Sequence, residues 1–154
     1  MGARGERAEA LFLQGYTCAQ AVLLAFEDIT GLDTTTAARL SSGFGGGMGR
    51  LREVCGAVSG MFMAYDLVCG YADPGDMEAK KRTYADIREL AARFSAQSGG
   101  SIICRELLAG VETTQGGDPE QRTPEYYQKR PCPRLVALAA DVLDEFLREK
   151  QVIS

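Results

Sequence analysis

VCGAVSGMFMAYDLVCGYA, residues Val54 to Ala72, carries a single charged side chain, Asp66. Its length approaches the ~20 apolar residues of a membrane span. Gly56, Gly60 and Gly70 dilute that apolarity, and neither an aromatic belt nor a Lys/Arg asymmetry frames the stretch. A helix apolar on every side is the buried centre of a bundle, and that is the reading taken here. Gly56, Gly60 and Ala64 recur every four residues, a small-residue stripe that lets a neighbouring helix pack closely. The rest of the chain is expected to wrap around this element.

Helical spacing recurs outward in both directions, and no segment alternates cleanly as a strand would. Towards the N-terminus, one helix runs from about Glu6 to Gln14 and stops at Gly15. A second opens on Thr17 as N-cap, carries Ala21, Val22, Ala25, Phe26 and Ile29 on one face, and closes at Gly31. Asp33 caps a short helix through Leu40. The central helix starts near Arg52 and stops at Cys69-Gly70.

Beyond it, Asp73-Pro74 reads as N-cap and first position of a long helix that points Met77, Tyr84, Ile87, Ala91 and Phe94 inward. Glu78 with Arg82, and Glu89 with Arg93, supply i,i+4 pairs outside. Ser101 caps a short helix ending at Gly110. Val111 to Pro131 reads as a mobile surface loop with one turn near Pro124. A last helix from Pro131 buries Leu135, Ala139, Val142 and Phe146. The expectation is an all-α, single-domain bundle over residues 1–154, with about five to seven helices around the buried one.

Composition removes whole classes of chemistry. There is no His among 154 residues, so no imidazole base, His-ligated zinc or Cys-x-x-Cys-His haem attachment exists. Net charge is −4, and Lys and Arg are scattered rather than clustered, which argues against nucleic acid. The opening residues MGARGERAEA lack an apolar signal core. Five cysteines are too few and too odd in number for a secreted disulfide scaffold. A soluble, cytoplasmic protein without a membrane span is expected; a homo-oligomer stays open.

Four of the cysteines fall at helix starts: Cys18 after the Thr17 cap, Cys55 opening the central helix, Cys104 after Ser101, and Cys132 between two prolines. Free N–H groups and aligned peptide dipoles there stabilise a thiolate, the form that attacks disulfides and binds metals. Cys69, at a helix C-terminus, has the opposite environment and reads as a packed residue. Cys55 is accordingly expected at the centre of the group, and more reactive than Cys69. The glycine run Gly43-Phe44-Gly45-Gly46-Gly47-Met48-Gly49 precedes the central helix without the Lys-Ser/Thr of a phosphate loop or a preceding strand. Its glycines allow close backbone approach, either in a tight turn or around a cofactor beside Cys55, with Gly45, Gly46, Gly47 and Arg50 as candidate contacts.

Cys18-Ala19-Gln20-Ala21-Val22, the loop to Arg50, Cys55-Gly56-Ala57-Val58-Ser59-Gly60, Cys104 and Cys132 together resemble the C_GCAxxG_C_C family, named for an inferred redox activity. The resemblance covers nearly the whole chain and implies that Cys18, Cys55, Cys104 and Cys132 are the signature thiols. The family is similar to part of the split-Soret cytochromes, whose haem chemistry does not transfer to a chain without His. Three functions remain open. The cysteines cycle between dithiol and disulfide, exchanging electrons with a partner protein or small-molecule donor. They converge as a four-thiolate site for an iron–sulfur cluster or zinc. Or they only pack, in a helical interaction module.

Overall fold

The computed structural model describes residues 1–154. Its α-helices are α1 (Ala3–Leu13), α2 (Cys18–Leu24), α3 (Glu27–Thr30), α4 (Thr34–Ser41), α5 (Gly45–Met48), α6 (Gly56–Cys69), α7 (Met77–Ser98), α8 (Cys104–Leu107), α9 (Pro124–Lys129) and α10 (Cys132–Glu149). No strand interrupts them; one isolated antiparallel bridge joins Val54 to Ile103. No helix is long and apolar enough to cross a membrane.

The stretch forms the buried centre from Cys55 to Tyr65, while Asp66 and Leu67 beyond it are exposed. Ala57, Val58, Met61, Ala64 and Tyr65 of α6 are inaccessible to solvent. Tyr65 sets its ring edge-on to Phe146 of α10 and donates its hydroxyl proton to Asp86 of α7, so its polar tip is satisfied. The small stripe receives α2: a Cβ placed on Gly60 would stand 2.5 Å from the carbonyl oxygen of Ala19. Against the other side lies α10, whose Leu135, Ala139, Val142 and Phe146 are all buried. Its Asp141 accepts from the backbone N–H groups of Gly2 and Gly5 at 2.8 and 2.7 Å. It thereby caps α1, which has no side-chain cap of its own.

Several boundaries differ from the sequence reading, each for a tertiary reason. The second helix breaks at Ala25-Phe26, because Arg4 donates to the Ala25 carbonyl at 2.8 Å and lies over the Phe26 ring. The Ile29 amide, deprived of that carbonyl, bonds Phe26 instead. α6 begins four residues later than Arg52, since Cys55 N–H bonds Ile102 and Cys104 N–H bonds Glu53 across the Val54–Ile103 bridge. α7 is capped by Asp76, which accepts from Ala79 N–H at 3.0 Å, while Asp73 closes a Pro74-Gly75 turn.

The inward face of α7 is Thr83, Leu90 and Phe94; Met77 and Tyr84 are exposed. Arg82 turns from Glu78 to the carbonyl of Cys69, whereas Glu89–Arg93 pairs as the spacing required. Ser101 binds the Ile103 amide rather than acting as the cap of α8. Val111 to Pro131 is a strap pinned by arginines rather than a free loop, and α9 extends its one turn.

Candidate functional site

Four helix starts point at one place. Cys18, Cys104 and Cys132 are the first residues of α2, α8 and α10, and Cys55 is the N-cap of α6. The placement of Cys18 follows from its neighbours: Thr17 Oγ1 accepts from Gln20 N–H, and Gln20 Oε1 accepts from Thr17 N–H, a reciprocal cap. All four cysteines line one cavity of about 250 Å³. Cys69 ends the 14-residue α6, roughly 20 Å along the axis from that cavity.

Gly45, Gly46, Gly47 and Arg50 line the same cavity. Gly46 and Gly47 are left-handed, and a Cβ on Gly47 would lie 2.7 Å from both Arg52 Cα and Cys104 Cβ. The run is therefore a tight turn folded directly onto the cysteine-bearing backbone.

Cys132 is electrostatically linked to each of the other three thiols. Its interaction with Cys18, followed by the positive charges of Arg130, Arg122 and Arg52, holds the Cys132 thiol below the usual cysteine range despite burial. The same interaction with Cys132, and then burial, raises Cys18 well above that range. Burial pushes Cys55 up to about 12, outweighing the pull of the Ala57 and Val58 amides at the helix start. Cys104 is also raised by burial, although Arg52 Nη1 approaches its sulfur at 3.8 Å. Dipole position alone thus fails as a guide to reactivity: desolvation leads for Cys55 and Cys104, the Cys18–Cys132 interaction leads for the other two, and Cys55 does not outrank Cys69 by this route.

Arg50 and Arg52 were expected from the sequence to add positive potential near Cys55; Arg122 and Arg130 were the signal missed. Arg52 is buried, with Nε donating to the Thr114 carbonyl at 3.1 Å and Nη2 to Thr113 Oγ1 at 2.7 Å. Arg122 donates to the carbonyls of Phe12 and Tyr16 and lies against the rings of Phe12 and Tyr126. Arg130, also buried, pairs with Glu120 and stacks on Tyr126. Arg130 stands two residues before Cys132, a local cue; Arg122 has none, since only the strap brings it to the sulfurs. No three Cys, Asp or Glu side chains come close enough together to hold one metal ion.

The family described as "Putative redox-active protein (C_GCAxxG_C_C)" matches residues 16–146. The chain belongs to the C_GCAxxG_C_C family. Residues 16–146 contain every wall of the cavity, from Thr17 to Leu135, so the family match and the cysteine cavity coincide. Comparison with curated proteins and with solved structures finds no match.

For this C_GCAxxG_C_C protein the sulfur environments give a measurable order. Iodoacetamide modification followed from pH 5 to 10 by peptide mass mapping is expected to label Cys132 first. Its midpoint should lie below the ~8.5 of a free cysteine, because its lowered pKa leaves thiolate present at lower pH. Cys55, at about 12, should stay unlabelled across that window. Labelling of Cys55 ahead of Cys132 would show that the arginines do not govern the cavity.

Proposed function

We propose that this protein is a thiol–disulfide exchange protein in which Cys132 attacks and Cys18 resolves. The supporting observation is that these two thiols, from the heads of α2 and α10, line one arginine-walled cavity. The chemistry balances as follows. Cys132 thiolate attacks one sulfur of a substrate disulfide, forming a mixed disulfide and releasing one substrate thiolate. Cys18 then gives its proton to that thiolate and attacks the Cys132 sulfur. A Cys18–Cys132 disulfide forms, and the second substrate sulfur leaves as thiolate. The substrate gains two electrons, the protein loses two, and a dithiol donor (a partner protein or a small thiol) returns them in reverse.

The alternative four-thiolate reading, with iron–sulfur or zinc as cofactor, receives less support because no three of the candidate ligands gather around one point. Gly45, Gly46, Gly47 and Arg50 are then walls of a substrate cavity rather than a cofactor cradle. Residues 1–154 are taken as one folding unit around the 28-residue core. A reducing cytoplasm is the compartment in which such a pair is regenerated.

Cys18→Ser tests the assignment. With a twofold excess of a small disulfide, this variant should stop at a stable mixed disulfide on Cys132, read as an adduct by intact mass. The parent should lose two hydrogens and retain no adduct. An oxidised parent whose disulfide joins any other pair overturns the reading. Sulfide-dependent colour in protein purified without oxygen would turn it towards the four-thiolate site.

A further inference from the structure

The charge on the cavity wall is unbalanced in a way that the exchange step does not require. Arg50, Arg52, Arg122 and Arg130 line it against a single carboxylate, Glu120, in a chain whose net charge is −4. Glu120 is already shared, pairing with Arg130 and approaching Arg50 at 3.7 Å. Arg52 and Arg122 are held by neutral groups: the Thr114 carbonyl, the Thr113 hydroxyl, and the carbonyls of Phe12 and Tyr16. Neutral acceptors fix a guanidinium in place and leave its charge uncancelled.

Ionising Cys132 offsets one of these charges and still leaves an excess of cations. In addition, Arg50 Nε is buried without an acceptor, an unfavourable state that a bound acceptor would relieve. A protein that collects cations in a partly dry cavity and leaves a donor open there has built a receptor for anions.

Size and access narrow the class. Cys55, Cys104 and Cys132 are each less than a tenth exposed, beneath a strap that Arg50, Arg52 and Arg122 tie down. A disulfide on a folded protein surface does not reach Cys132 past that strap, whereas a small molecule fits the ~250 Å³ beneath it.

We infer that the oxidant reduced by Cys132 and Cys18 is a small disulfide carrying anionic groups, carboxylate or sulfonate, next to its S–S bond. This rests on the exchange reading and adds substrate choice to it. The anionic arms meet the arginine cluster formed by Arg50, Arg52, Arg122 and Arg130 while the S–S bond lies over Cys132. The atoms and electrons move as in the exchange already described, and the products are two anionic thiols.

The test compares three small disulfides on the unmodified, fully reduced protein: bis(carboxymethyl) disulfide (dianionic), bis(2-hydroxyethyl) disulfide (neutral) and cystamine (dicationic). Single-turnover formation of the Cys18–Cys132 disulfide is followed by quenched mass analysis, and each rate is divided by that reagent's rate with free dithiothreitol. The dianion is expected to react at least tenfold faster than the dication, within the ~10–10³ range of electrostatic focusing, with the neutral reagent between them. The gap should close in 1 M salt, where screening acts over about 3 Å.

Equal or reversed rates overturn the inference and leave exchange standing. A gap wholly unchanged in 1 M salt assigns selectivity to shape and also overturns it. Faster oxidation by a folded protein disulfide than by any small reagent replaces the substrate class with a protein partner. Failure of every reagent to form the Cys18–Cys132 disulfide removes the exchange reading itself, and the inference with it.

Discussion

Cys132→Ser is expected to abolish disulfide exchange at neutral pH, by a factor on the order of 10³ or more, while the protein stays folded. Removing a nucleophile that acts with a partner has effects of this scale or larger in covalent catalysis. Serine is nearly isosteric with cysteine, and the site is already walled by polar groups, so the cost in stability should be ~1 kcal/mol. The loss is chemical. A hydroxyl at the head of α10 keeps the same neighbours and the same field from Arg130, yet it does not ionise near pH 7. Cys69→Ala, at the far end of α6, is the control and should retain the parent rate. The measurement is the single-turnover rate with a neutral disulfide, alongside a thermal melt. If Cys132→Ser keeps even a tenth of the parent rate, another thiol is the nucleophile, and Cys18 becomes the first candidate.

What the sequence revealed about this site follows from the range of the interactions involved. Thr17, Asp33 and Gly31 act within one turn of their own helix, and each sits where local pattern placed it: Thr17 and Asp33 as N-caps, Gly31 as a left-handed C-cap. The all-α class and the buried centre from Cys55 to Tyr65 follow from apolar periodicity in the same way. Long-range partners set everything that was misplaced. Arg4 breaks the second helix from 21 residues away, and Ile102–Cys104 hold Glu53–Cys55 extended at the start of α6.

The cysteines illustrate both regimes. Their helix-start positions are local and bring them to one cavity, but their protonation depends on burial and on arginines delivered by the strap. Cys55 and Cys132 share the same kind of backbone position, yet one is pushed up to about 12 and the other is held low. No local rule separates them. The neighbouring Cys18 does first, followed by Arg130 and Arg122.

The stripe on α6 carries the second large effect, because it sets the distance between helices and hence between sulfurs. Gly60→Ala introduces a Cβ 2.5 Å from Ala19 O, 3.1 Å from Ala19 Cα and 3.1 Å from Val22 Cβ. Two of these are backbone atoms of α2, so relief requires moving the helix rather than a rotamer. Alanine in a helix interior gains about 1 kcal/mol over glycine, so with open space this change would stabilise the protein. Overpacking of a filled core costs about 1–3 kcal/mol or more, and a contact this short belongs at the upper end.

The net expectation is a loss of about 2 kcal/mol, a fall in Tm of roughly 4–8 °C for a chain of this size. Gly60→Val, with two further carbons against the same carbonyl, should leave the protein largely unfolded at 37 °C. The same displacement reaches the site, since Ala19 follows Cys18 at the head of α2. Moving α2 away from α6 shifts Cys18 relative to Cys132, so folded Gly60→Ala should also form the Cys18–Cys132 disulfide more slowly than the parent. Melting by circular dichroism and the exchange rate at 25 °C test both halves together. A Gly60→Ala protein more stable than its parent would mean that helix propensity wins and that α2 does not depend on the stripe for its seat.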